Sequence, residues 1–124
     1  MQPILTEAAP IPGGHYSQAV SHAGLVFVAG QLPTTPGQKE HSPGSIVEQT
    51  EQTMRNVEAI LKAAGSGLPK ILQGTIYISD ISLWSEVNAT YARIMGSHRP
   101  ARAIVPVKDL HYGYQIEIQV IAAT

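Results

Sequence analysis

Polar and apolar residues alternate without a break in Gln115-Ile116-Glu117-Ile118-Gln119-Val120. In an extended chain, successive side chains point to opposite faces. The run therefore predicts a strand from Gln115 to Ala122, with Ile116, Ile118 and Val120 on a buried face and Gln115, Glu117 and Gln119 on the other. A longer period governs the middle of the chain. Ser45 and Glu48 have capping-box spacing. Ile46, Thr50, Met54, Val57, Leu61 and Ala64 then recur every three or four residues as one apolar stripe. Gly65 is a natural stop. A helix is predicted from Ser45 to Ala64. Trp84, Val87, Tyr91 and Ile94 form the stripe of a second helix, capped by Asp80 or Ser82 and stopped by Gly96. Trp84 and Tyr91 are read as core residues.

The other apolar runs predict strands. Gln18 to Ala29 reads as a hairpin that turns at His22-Ala23-Gly24. Its second run, Leu25-Val26-Phe27-Val28-Ala29, is apolar throughout, which predicts burial on both faces. Gly30 ends it and marks a bulge or a close backbone approach. Ile71 to Ser79 and Ala101 to Val107 are rich in β-branched residues and read as strands. The order is β-β-α-β-α-β-β. It predicts one α+β domain over residues 1–124, a mixed sheet with two helices packed on one face. The other face must meet water or another subunit.

Composition adds a hint about that face. Hydrophobic residues make up 44% of the chain and charged residues only 14%, against about a quarter in an average protein. So sparse a charge set fits a surface covered by partner subunits. Eight Lys and Arg face nine Asp and Glu, with no basic run, so nucleic acid and anionic lipid have no electrostatic footprint here. There is no cysteine, which excludes disulfides, a thiol nucleophile and thiolate zinc sites, and fits a cytoplasmic compartment. Neither a signal peptide nor a membrane-spanning segment is predicted. His15, His22, His41, His98 and His111 show no metal-ligand spacing, so no metal is expected.

One Arg/Glu pair stands out. Arg102 opens an apolar strand, and a guanidinium there needs a partner because burying it unpaired is costly. Bidentate capture of a substrate carboxylate is one reading. A salt bridge to Glu117, or a strand-end arginine reaching solvent, is the other, and spacing alone favours it. Glu117 could orient water or move protons, although its period alone makes it a solvated position. Tyr16, in the glycine-led loop Gly13-Gly14-His15-Tyr16-Ser17-Gln18, offers a hydroxyl to a ligand or is plain loop. Tyr112 and Tyr114 line a pocket or cover a sheet edge.

Several segments, in order and over nearly the whole chain, resemble the RidA/YjgF family. They include Tyr16-Ser17-Gln18-Ala19-Val20, Phe27-Val28-Ala29-Gly30-Gln31-Leu32-Pro33, Val87-Asn88-Ala89-Thr90-Tyr91, Pro100-Ala101-Arg102 and Ile116-Glu117-Ile118. The resemblance implies a chorismate mutase-like fold and a homotrimer with sites in the clefts between subunits. It implies a cofactor-free reaction, the hydrolysis of 2-aminoacrylate and related 2-imino acids to 2-keto acids and ammonia. Arg102 would hold the substrate carboxylate and Glu117 would place water or move a proton. Tyr16, Gly30 and Ile104 would line the pocket, with Asn88 structural.

The chain departs from the family pattern in places. Ala29 stands where many relatives have serine, and Ile104 where many have cysteine or threonine. His15 replaces a frequent proline and Pro106 a frequent glutamate. Leu110-His111-Tyr112-Gly113 replaces a common Leu-Pro-Lys-Gly. These changes point to a larger or more apolar substrate than aminoacrylate. Two further readings are a non-catalytic trimer that binds small carboxylates, and the endoribonuclease or translation-inhibitor activity ascribed to some relatives. The missing basic patch argues against the last.

Overall fold

A computed structural model describes residues 1–124. The strands are β1 (Gln2–Ile4), β2 (Ala19–His22), β3 (Leu25–Gln31), β4 (Ile71–Ile78), β5 (Ala101–Pro106) and β6 (Ile116–Ala123). The helices are α1 (Ile46–Ala63) and α2 (Trp84–Met95). The six strands form one sheet in the order β1-β2-β3-β6-β4-β5. β4 and β5 are parallel and every other neighbour is antiparallel. The parallel pair follows from the sequence order, since α2 carries the chain back between them.

Local chemistry sets the elements. The Ser45 hydroxyl accepts from the Glu48 amide at 3.1 Å while the Glu48 carboxylate accepts from the Ser45 amide at 3.1 Å, closing the predicted box. Asp80 accepts from the Ser82 amide at 2.8 Å and caps a short 3₁₀ turn, Ile81–Leu83, that leads into α2. β2 and β3 meet at Ala23 and Gly24, with φ of 52° and 77°. Positive φ at both turn residues matches the twist of a two-residue hairpin.

The core lies between one sheet face and both helices. Val26, Val28, Ile76, Ile78, Ile116, Ile118, Val120 and Ala122 meet Met54, Val57, Ile60, Leu61, Val87 and Tyr91. Each large aliphatic side chain buried this way contributes about 1.5–3 kcal/mol. Buried polar side chains tie the loops down. Gln18 accepts from the Thr6 amide and donates to the carbonyls of Thr6 and Pro10. Asn56, on α1, donates to the carbonyls of Leu32 and Thr34.

Two expectations are corrected. Phe27 is 39% exposed, so β3 is not buried on both faces: the helices cover one side, and alternate residues of an apolar run still point away from it. Trp84 is also 39% exposed. As the first residue of α2 it lies beyond the packed stripe, while Tyr91, two turns on, is buried. β1 was not anticipated, because three residues with a proline in their midst carry no readable period. No helix is long and apolar enough to cross a membrane.

Candidate active site

Arg102 is the second residue of β5 and lies opposite Gly74 of β4. Its side chain runs toward α2, where Nη1 donates to Asn88 Oδ1 at 2.8 Å. The guanidinium carbon sits 5.1 Å from the Tyr91 ring centre and 5.9 Å from that of Trp84. Helical spacing explains the cradle, since residues 84, 88 and 91 share one face of α2. Ring faces attract a cation through their quadrupole without neutralising it. The ion pairs of the chain are Lys62–Glu58 and Arg93–Glu51, so no carboxylate occupies the Arg102 fork. The salt-bridge reading with Glu117 is thereby excluded within the chain. Beside the fork lies a cavity of about 440 Å³ lined by Asn88, Tyr91, Met95, Arg99 and Arg102. Burial pushes the Tyr91 phenol above its ordinary value, and the nearby Arg102 charge partly offsets this. The ring under the guanidinium therefore stays neutral, and its buried hydroxyl has no hydrogen-bond partner.

Glu117 lies elsewhere. It pairs with Tyr77, whereas Arg102 shares a row with Gly74 and Val120. Tyr77 is three positions beyond Gly74, an odd offset, so the two rows point to opposite faces of the sheet. Arg102 and Ile104 are on the helix-covered face and Glu117 is on the open one. There the Glu117 carboxylate lies against the α-carbon of Gly30, at the point where β3 shifts register between Val28 and Gln31. A methyl group at position 30 would collide with that carboxylate. This is the close approach for which Gly30 was singled out.

Gly30 also lines a second cavity, of about 490 Å³, together with Tyr16, Gln31, His41, His111 and Tyr112. Tyr16 is 54% exposed, and its hydroxyl accepts from the Gly13 amide at 3.4 Å. Tyr114 is buried behind this wall, its hydroxyl 2.9 Å from His41 Nδ1. Ala29 is held by its backbone, which donates to Gln18 and accepts from the Gln31 side chain. Ile104 is half-buried against the core at the sheet edge. The structure thus gathers Tyr16, Gly30 and Glu117 on one side, and Arg102 with Ile104 on the other. No three His, Asp or Glu side chains are grouped to hold a metal ion.

Two contacts are not legible in the sequence. Asn88, a structural position by the resemblance, orients the arginine, and its helical spacing from Trp84 and Tyr91 is the available signal. His41 was weighed only as a metal ligand. Its partner Tyr114 is 73 residues away, a separation that leaves no local trace.

The family model for Endoribonuclease L-PSP matches residues 6–124. The chain belongs to this family. It is the RidA/YjgF family of the sequence resemblance. A RutC family protein of Pyrococcus horikoshii is 41% identical over 119 residues, covering 96% of this chain and 94% of the relative. The 2-iminobutanoate/2-iminopropanoate deaminase of Capra hircus is 38% identical over 119 residues, covering 96% and 87%. The crystal structure of Escherichia coli TdcF with bound serine superposes with a TM-score of 0.93 at 31% identity, covering 100% of this chain and 99% of that one. In this RidA-family chain the six-stranded mixed sheet and two helices are those of its structural relatives.

Proposed function

We propose that the protein hydrolyses 2-imino acids, and the enamines in equilibrium with them, to 2-keto acids and ammonia. The proposed site lies in a cleft between two copies of the chain in a homotrimer. The observation that carries this reading is an Arg102 fork that is held in place, half-buried and without a carboxylate partner. The deaminase name of the goat relative and the serine bound to TdcF support it.

The chemistry suits these groups. A planar fork takes a carboxylate through two parallel charge-assisted hydrogen bonds, which fixes the adjacent C=N carbon for attack. Water adds its oxygen to that carbon, and the nitrogen gains a proton. The carbinolamine then expels ammonia as the C=O bond forms. Glu117 takes the proton from the attacking water and returns it to the departing nitrogen. One imine and one water become one keto acid and one ammonia, so no cofactor enters the balance. Glu117 faces away from Arg102 in its own chain, so this role needs the arginine of a second copy. A trimer with equivalent contacts would supply it and would cover part of the open sheet face. A cytoplasmic setting goes with this reading, since the absence of cysteine suits a reducing compartment.

The test is direct. A dehydratase acting on serine generates 2-aminoacrylate, and its decay is followed with and without the protein. Faster decay is expected, with near-complete loss in Arg102→Lys, because a point charge cannot replace the fork. Equal decay with wild type and variant across several imino acids would sink the reading.

A further inference from the structure

Beyond the cleft chemistry, the cavity beside Gly30 has a wall that small substrates do not need. His41 and Tyr112 stack face to face, with ring centres 3.9 Å apart and planes 4° from parallel. Tyr114 braces the pair from behind, edge-on to both rings, with its hydroxyl bonded to His41. The loop carrying Tyr112 pays for this placement. Tyr112 has φ of 61°, the left-handed region where a bulky residue is an outlier. A phenol held there against backbone preference, stacked on one side and still 58% exposed, has its surface fixed and open. Tyr16, 54% exposed, lines the same cavity across Gly30. Two exposed rings, a stacked imidazole and Gly30 thus line one cavity, and the Glu117 carboxylate lies against that glycine.

Resting on the hydrolase reading, we infer that this wall sets the substrate class: 2-imino acids whose side chain ends in a flat aromatic ring are preferred over those ending in methyl. The geometry asks for such a group. A rigid ring face gains from another ring through offset or edge-on contact beyond the area it buries. Binding energy from the remote end of a substrate can be used to orient the reacting carbon. A methyl group would leave the cavity of about 490 Å³ mostly to water. No carboxylate or ammonium lines the cavity, so a charged side chain would find no opposite charge there.

The experiment compares two imines made in place by an amino-acid oxidase, 2-imino-3-phenylpropanoate and 2-iminopropanoate. Hydrolysis is read as the fall in semicarbazone formed by a trap. The expected ratio of kcat/KM, aryl over methyl, exceeds one in the wild type. In Tyr112→Gly the ratio should fall by about twofold to tenfold, the range an aromatic pair adds, and Tyr112→Phe should restore it. Glycine adopts positive φ without strain, so the truncated variant keeps the loop. A wild-type ratio at or below one, or a ratio unmoved by Tyr112→Gly, overturns the inference. Calorimetry with 3-phenyl-2-oxopropanoate and 2-oxopropanoate separates the two claims. Tighter binding of the aryl keto acid, weakened in Tyr112→Gly, upholds the aromatic wall even if neither imine is hydrolysed, in which case the hydrolase reading alone falls. Hydrolysis of both imines with no aryl preference removes the wall's role and leaves the hydrolase reading standing.

Discussion

The two sides of the sheet carry the two groups on which the proposed chemistry rests. On the covered side a guanidinium is fixed by one amide and two ring faces and has no acid beside it. On the open side a carboxylate is seated on a glycine that lines the cavity of the exposed rings, with no cation paired to it. Each half is prepared and each is incomplete. An internal pair would have quenched both charges, and the sheet prevents it by sending the two side chains to opposite faces. The two charges are thus kept apart by the faces of the sheet rather than by distance along the chain.

The strongest way to break the contrast is to remove the fork. Arg102→Lys should lower kcat/KM for 2-imino acids by about a hundredfold, the scale of a misplaced reacting group. Its melting temperature should fall by only a few degrees, since lysine keeps the positive charge near the rings and the arginine has a hydrogen bond but no ion pair to lose. Steady-state kinetics and thermal unfolding together check this. A variant that melts early would instead make Arg102 structural.

Mixing sharpens the comparison further. Arg102→Lys and Glu117→Gln should each be nearly inactive alone. If the site joins two copies, equal mixing with subunit exchange should recover about a quarter of the wild-type sites, as random assembly of a cyclic oligomer requires. A mixture as inactive as its components would place both residues in unrelated roles.

Gly30→Ala tests the open side. The added methyl meets the Glu117 carboxylate. The Glu117 side chain must swing off the glycine, so the variant should lose most of its activity while its stability changes little. Denaturant unfolding and the imine assay read the two effects. Asn88→Asp tests the covered side more gently. A carboxylate in place of the amide would claim the fork, so KM should rise by about tenfold, the effect of roughly 1.4 kcal/mol of lost binding, and Asn88→Ala should do less harm.

The smallest effect lies far from both halves. Ser45→Ala removes the helix cap and should cost about 1 kcal/mol by chemical denaturation. The Ser45 amide and hydroxyl hold the Glu48 carboxyl below its ordinary value of 4.5. A depressed folded-state value means stability that is present above the unfolded value and lost as pH falls through the folded one. The wild type should therefore lose the small Glu48 contribution as pH falls below the ordinary value of 4.5, and Glu48→Gln should show no such loss.

Much of this molecule was legible in order along the chain. The α1 cap, the apolar stripes, the hairpin and the alternation of β6 depend on neighbours within a few residues, where propensity and periodicity act. Arg102 and Gly30 stand out because a charge beside an apolar run, or a glycine at a strand end, demands a local reason, whereas Glu117 and Tyr16 gain a role only from the family resemblance. The family resemblance supplied the reaction class, and the family match bears out its coarser part. What the chain order could not reveal was who faces whom. The parallel placement of β5 on the far edge, the opposite faces of Arg102 and Glu117, the amide of Asn88 on the guanidinium and the stacking of His41 on Tyr112 all join residues distant in sequence. Short-range preferences determine elements; only packing of the elements decides which side chains share a cavity.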